Sequence, residues 1–184
     1  MATKSYSLQK ISNPVIRYFL YKLGKKYDLS RNFPPFSQKP HQNDVLKFFN
    51  HRCCYCLNKI DIKNFDFDHL IPINRTSGGL HAWGNLAPAC KSCNKLKSEM
   101  TWDIFMDYLF FNSKHSSHKN PKINKRYFSN EYSFESRKNK INLFIKKYKY
   151  KPEIDQIKIE ADNLYSEIKA ITEALIIEKI ERIN

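Results

Sequence analysis

The sequence predicts an α+β fold: a small core of two short strands and helices, mostly helical flanks, and a long helix near the C-terminus. Three observations predict it. Two Cys-x-x-Cys pairs, Cys53/Cys56 and Cys90/Cys93, bracket a short central stretch. Within that stretch Ile60–Asp68 mixes β-branched and aromatic residues with polar ones, and Leu86–Ala89 is a second short apolar run, both strand-like. After Pro152, the residues Ile154, Ile157, Ala161, Leu164, Ile168, Ile171 and Leu175 recur at spacings of three and four. That is a heptad seam in a helix of roughly 30 residues.

The other elements follow in chain order. Val15–Tyr21 is an apolar patch read as helix, with Pro14 suited to its first turn and Gly24 to its stop. Pro34, Pro35 and Pro40 break regular structure, and Asn43-Asp44 can cap a short helix over Val45–Phe49. Asn74–Gly79 is a loop by composition. Ser92–Ser98 reads as a helix whose first turn carries Asn94, and Thr101 can cap a second one, Trp102–Phe111, with Ile104, Phe105, Tyr108 and Leu109 on one face. Asn139–Tyr148 reads as another short helix.

The 184 residues carry a net charge of +14, and a strongly basic surface attracts polyanions, nucleic acid above all. The charge divides the chain into four parts. Residues 1–50 form a basic, partly helical arm with nine Lys/Arg against two acids, and residues 51–112 a nearly neutral core with seven against six. Residues 113–151 form a second basic segment with twelve against two. Residues 152–184, the C-terminal helix, reverse the sign with four against eight. Two basic arms around a neutral core suit a grip on a polyanion from both sides. Arg17, Lys22, Lys25 and Lys26 are within reach of phosphates, although a solvated helix face explains any one of them more simply. In the second arm Tyr127, Phe128, Tyr132 and Phe134 sit among Lys125, Arg126, Arg137 and Lys138. Such aromatics stack on bases or wedge a base step, and more often pin an irregular segment to a core.

No apolar run approaches the roughly 20 residues that span a bilayer, and Met1–Tyr6 lacks the apolar core of a signal peptide. The expected location is the cytoplasm, at the nucleoid, with no membrane partner. The heptad seam fits either a homodimer or packing along the same chain, with the homodimer favoured.

In a reducing compartment, paired Cys-x-x-Cys motifs are zinc ligands rather than disulfides. A two-residue gap lets both sulfurs of a pair face one tetrahedral ion, so Cys53, Cys56, Cys90 and Cys93 are expected to hold a structural Zn²⁺ with no open position. Cys54, between two ligands, points elsewhere as a small buried thiol.

Inside the zinc-closed loop lie Asp68-His69 with Pro72, then Gly78-Gly79, then Asn85-Leu86, and after Cys93 come Asn94 and Lys97. In number, order and spacing these residues resemble the HNH (His-Asn-His) nucleases of the ββα-metal class, here as a His-Asn-Asn variant. The resemblance covers residues 53–97 and leaves the arms unexplained. It implies that His69 is the general base for an attacking water and that Asp68 and Asn94 hold a catalytic Mg²⁺ or Mn²⁺. It also implies that Asn85 braces the loop behind the base. Oxygen donors suit those hard cations, and an imidazole suits the base because its ordinary pKa is near neutrality. Lys97, His81, Lys125 and Arg126 are candidates for phosphate contacts, against the plainer readings of an exposed helix lysine for Lys97 and a surface loop histidine for His81. Trp83 is read as core, and Asp61 and Asp66 as surface.

The expected activity is metal-dependent hydrolysis of DNA phosphodiester bonds by a restriction or defence nuclease. The rivals are a zinc-stapled DNA-binding module without catalysis, and a homing or RNA-cleaving nuclease of the same superfamily. The recognition sequence is not legible in these residues.

Overall fold

The computed structural model describes residues 8–36, 39–60, 65–114 and 131–181. Among them are six helices and one two-stranded antiparallel sheet: α1 (Leu8–Ser30), α2 (Lys39–Phe48), β1 (Phe65–His69), β2 (Leu86–Cys90), α3 (Lys91–Lys97), α4 (Trp102–Lys114), α5 (Glu131–Lys147) and α6 (Ile154–Glu181). The fold is α+β, as its strand and helix patterns predict. No described helix is long and apolar enough to cross a membrane.

The strands pair from Phe65 opposite Cys90 to His69 opposite Leu86. Strand β2 runs straight into α3, which packs on both strands, so β1, β2 and α3 form one ββα unit. Alternation along β1 puts Asp66 and Asp68 on one face and Phe65, Phe67 and His69 on the other.

Several boundaries differ from the sequence reading. Helix α1 begins at Leu8, so Pro14 lies inside it rather than in its first turn, and it runs through Gly24 to Ser30. Gly24 is there for space and not as a stop. A Cβ at this position would lie 2.5 Å from the carbonyl oxygen of His81, so only glycine lets α1 lie against that loop. Helix α2 starts at Lys39, which puts Asn43 and Asp44 in its body rather than at its cap. Helix α5 starts at Glu131, eight residues before Asn139, because Phe134, Arg137, Ile141, Phe144 and Tyr148 make one continuous buried stripe. On α4, Ile104 is exposed, and Met106 joins Phe105 and Leu109 in the core.

Two apolar clusters hold the fold. The larger surrounds the cysteines and joins Tyr55, Leu70, Leu86, Phe105, Ile141 and Phe144. The smaller joins Ile16 and Leu20 of α1 to Ile157 and Ala161 of α6, with Ile73, Leu80 and Tyr150 between. The heptad seam of α6 is therefore divided. Its first turns pack within the chain, whereas Ile171, Leu175, Ile176 and Ile177 are more than half exposed. Phe134 stacks on Phe110 at 4.3 Å and Arg137 donates from Nη1 to the Tyr55 carbonyl at 2.9 Å, so both serve the core. Lys125, Arg126, Tyr127 and Phe128 lie outside the described residues.

Buried Asp28 pins the end of α1 to the loop before β2. Its carboxylate accepts from the Trp83 backbone N–H at 3.1 Å and pairs with Arg31 at 2.6 Å. Burial nevertheless pushes this carboxyl up to about 6, against the pull of those partners. Trp83 is itself core, with its indole N–H on the Pro34 carbonyl at 2.6 Å.

Candidate active site and structural metal centre

Cys53 and Cys56 lie in the knuckle before β1, Cys90 ends β2, and Cys93 sits in the first turn of α3. The knuckle is shaped by the backbone: Cys53 N–H donates to the Asn58 carbonyl at 2.9 Å, and Leu57 N–H to the Cys53 carbonyl at 2.9 Å. All five cysteines are free thiols. The sulfurs of Cys56 and Cys90 are 3.7 Å apart, and the four ligand atoms lie within 4.8 Å of one another. Four zinc–sulfur bonds of about 2.3 Å define a tetrahedron with edges of about 3.8 Å. The cluster thus has the donor set and dimensions that Zn²⁺ takes, closed on all four sides. Cys54 is buried, its backbone N–H on the Pro88 carbonyl at 2.8 Å, and burial pushes its thiol well above the usual range.

Along the end of β1 and against α3 an open cleft of ≈ 700 Å³ is lined by residues that include Asp66, Asp68, His69, Asn94, Lys97 and, from α1, Arg17. Strand and helix meet here in matched pairs. Asn94 and Lys97, three apart, lie on one face of α3, and Asp66 and Asp68, two apart, on one face of β1. Asn94 Nδ2 donates to Asp66 Oδ2 at 3.2 Å. Lys97 Nζ reaches both carboxylate oxygens of Asp68, at 3.2 and 3.3 Å, and the His69 carbonyl at 2.8 Å. The Tyr55 hydroxyl donates to Asp68 Oδ2 at 2.6 Å. Burial raises the Asp68 carboxyl despite the opposing charge of Lys97.

Residues 53–99 match the family model of the HNH endonuclease. This stretch is similar to an HNH endonuclease domain. No curated protein is similar enough to the chain to match it. The family is one of nucleases, and its substrate class is nucleic acid.

Within this stretch, Asn85 is fully buried. Its Oδ1 accepts from the Ile71 N–H at 2.7 Å, and its Nδ2 donates to the carbonyls of Ile71 and Leu80 at 2.9 and 2.8 Å. One side chain thus ties together both ends of the loop that follows His69. Gly79 lies inside the same knot, where a Cβ would come 2.1 Å from the Ile71 carbonyl oxygen. His69 is half-buried, and its Nε2 lies 3.2 Å from Nδ1 of His81. Burial, aided by the neighbouring His81, Arg17 and Lys97, lowers the His69 pKa to about 3; burial and Lys25 lower His81 to about 4. Both rings are neutral at neutral pH.

Two sequence expectations change here. Lys97 is not an exposed helix lysine free for phosphate: it is 1% exposed and engaged by Asp68 and the His69 carbonyl. His81 is not a surface loop residue, and among the described residues it contacts His69 rather than lining the cleft. Asp66 is exposed yet belongs to the site; its position two before Asp68 on a strand was the available signal. Arg17 and Tyr55 come to the site by tertiary packing, which no local pattern announces. Asp61 lies outside the described residues.

The donors on the cleft wall fit a hard divalent cation. Asp66 and Asp68 supply carboxylate oxygens, and Asn94, donating from Nδ2, keeps its amide oxygen for another partner.

Proposed function

We propose that the protein is a metal-dependent endonuclease that hydrolyses phosphodiester bonds in double-stranded DNA, in a restriction or defence role. The observation that carries this reading is a neutral imidazole, His69, in a cleft shared with Asp68 and Asn94 and edged by the cations Arg17, Lys91 and Lys95. Asp66, Asp68 and Asn94 of the cleft would hold Mg²⁺ or Mn²⁺. When bound, the cation would neutralise charge on the phosphate and the leaving oxygen.

His69 acts as general base. Water attacks phosphorus, its proton passes to the free ring nitrogen, and one ester P–O bond breaks. A phosphodiester entering the cleft brings negative charge toward the ring. That raises the His69 pKa from its low resting value toward the range where proton transfer is effective. Lys97 pulls the Asp68 carboxyl down against the effect of burial and fixes the strand end through the His69 carbonyl. Asn85 holds the loop behind the base. Arg17, Lys91 and Lys95 serve the phosphates on either side of the scissile bond.

The basic charge of α1 beside the cleft supports duplex DNA as the substrate. The exposed half of the α6 seam supports a homodimer, since it continues a stripe whose first half is already packed. A monomeric mass in sedimentation would end that part of the proposal.

The deciding experiment is cleavage of a long unmodified DNA with Mg²⁺ or Mn²⁺ by wild type and His69→Ala. Wild type is expected to cut and the variant to lose about 10²–10⁴-fold. Equal cleavage by both would overturn the mechanism. Discrete bands support a sequence-specific enzyme, and a smear a nonspecific one. Competition by single strands and structured RNA separates DNA from RNA as substrate. DNA binding without cleavage under any divalent ion would favour a binding module.

A further inference from the structure

We propose that His81 is a positioning residue for His69: it holds the His69 ring in the tautomer with its proton on Nε2 and its lone pair on Nδ1. The inference rests on the nuclease reading above and adds a residue to it.

The geometry starts from the 3.2 Å contact between His69 Nε2 and His81 Nδ1. Only one N–H can lie between two neutral rings, so the pair has two arrangements. With the proton on His69 Nε2, that nitrogen donates to His81 Nδ1. The other ring nitrogen, His69 Nδ1, then carries a lone pair and can take a proton from water. The reverse arrangement places an N–H at Nδ1. Among the described residues nothing accepts a hydrogen bond from Nδ1, and the ring would then have no base to offer. The first arrangement satisfies the half-buried ring and keeps it competent.

His81 can impose a tautomer only if it is itself held. Its ring lies against Tyr21 at 4.6 Å between centroids and meets Phe36 edge-on at 6.0 Å. Its backbone abuts Gly24, where any larger residue would collide. Tyr21 and Gly24 belong to α1, outside the residues that match the HNH family. The chain of contacts runs from α1 through His81 to the base, which gives the N-terminal helix a part in the chemistry apart from its charge.

Two variants test this in the full-length, zinc-loaded protein. His81→Phe keeps the ring and its packing but has no acceptor. His81→Asn places an amide oxygen near the position of Nδ1. The first measurement is long-range ¹⁵N–¹H NMR of the histidine rings without DNA or added divalent cation, which reports the protonated nitrogen directly. Wild-type His69 is expected as the Nε2–H tautomer and His81→Phe as a mixture. The second is kcat and KM on duplex DNA with Mg²⁺. Partners that orient a functional imidazole are worth about 10–100-fold, so His81→Phe should lose that much in kcat with KM little changed, and His81→Asn should recover most of it. An Nδ1–H tautomer in wild type, an unchanged kcat in His81→Phe, or a His81→Asn variant as slow as His81→Phe would each overturn the proposal. Absence of any cleavage by wild type would instead sink the nuclease reading, while the NMR result would still decide how the two rings are paired.

Discussion

Replacing Lys97 by Met should expose how much of the site's order depends on one buried ion pair. The ammonium is 1% exposed and stands 3.2 Å from Asp68 Oδ2, 3.3 Å from Oδ1 and 2.8 Å from the His69 carbonyl. At an effective dielectric near 20, a charge pair at 3.2 Å is worth about 5 kcal/mol before desolvation. Removing one member of a buried pair costs about 3–5 kcal/mol, because the other charge stays behind without its partner. Met keeps the length of the stem, so the loss is electrostatic rather than a cavity. After the change, Asp68 retains only the Tyr55 hydroxyl at 2.6 Å among its described side-chain partners. Lys97→Met is therefore expected to destabilise by about 3–5 kcal/mol. Asp68→Asn should destabilise as well, and the double variant should cost about 2–3 kcal/mol less than the sum of the two. Urea denaturation under saturating zinc, followed through the fluorescence of Trp83 and Trp102, measures all three. A single-variant loss below about 1 kcal/mol, or strict additivity in the cycle, would refute the assignment of Lys97 as the internal counter-charge of Asp68.

Three further outcomes are expected. Purified protein should contain one zinc per chain by metal analysis, and Cys93→Ser should lower that content and broaden the unfolding transition, since the ion closes the loop that carries the site. The Asp28 carboxyl, pushed up to about 6 by burial, titrates near 3.9 in an unfolded chain, so the folded protein holds the extra proton between those values. Stability should accordingly fall by about 3 kcal/mol as pH rises from about 4 to about 6, and Asp28→Asn should flatten that segment of the denaturation profile. Gly24→Ala would gain about 1 kcal/mol in an ordinary exposed helix, but here it should destabilise by about 1–3 kcal/mol and slow cleavage, because its Cβ meets the His81 backbone; denaturation and plasmid nicking read the two effects.

The central stretch was legible because its chemistry is local. Cys-x-x-Cys spacing fixes a tetrahedral site wherever the chain closes, and Asp68-His69 at a strand end needs only its neighbours to be recognised. The alternation of Asp66 with Asp68 was visible too, yet Asp66 reads as surface until α3 is laid across the strand and Asn94 finds it. Helix ends were less legible. Pro14 and Gly24 are punctuation by propensity, but packing of Ile16 and Leu20 against α6 carries α1 through both. The buried stripe of α5 ran through residues that looked like a nucleic-acid patch, since aromatic and basic residues serve either purpose until burial separates them. Lys97 misled for the same reason: a lysine on a short helix suggests solvent, and only the facing Asp68 makes its burial possible.

The proposed site extends beyond the HNH match. Residues 53–99 contain the cysteine cluster, His69 and the cleft donors Asp66, Asp68 and Asn94, but the loop between Gly79 and Asn85 is held largely from outside. Tyr150 accepts from the Leu80 N–H at 3.0 Å, Asp28 from the Trp83 N–H at 3.1 Å, and Gly24 lets α1 press on His81 between them. Three successive points of one loop are thus fixed by α1 and by the turn between α5 and α6. That loop carries His81 behind the base and presents the Leu80 carbonyl to Asn85. The four-cysteine cluster joins β2 and α3 to the knuckle before β1, with Asp68 opposite Lys97; the loop held by the flanking helices lies on the far side of His69. A ring whose two sides are held by different parts of the chain keeps its orientation only when both are folded. On the proposed reading the basic N-terminal helix therefore has two separable duties, charge toward DNA on its exposed face and rigidity toward His81 on its packed one.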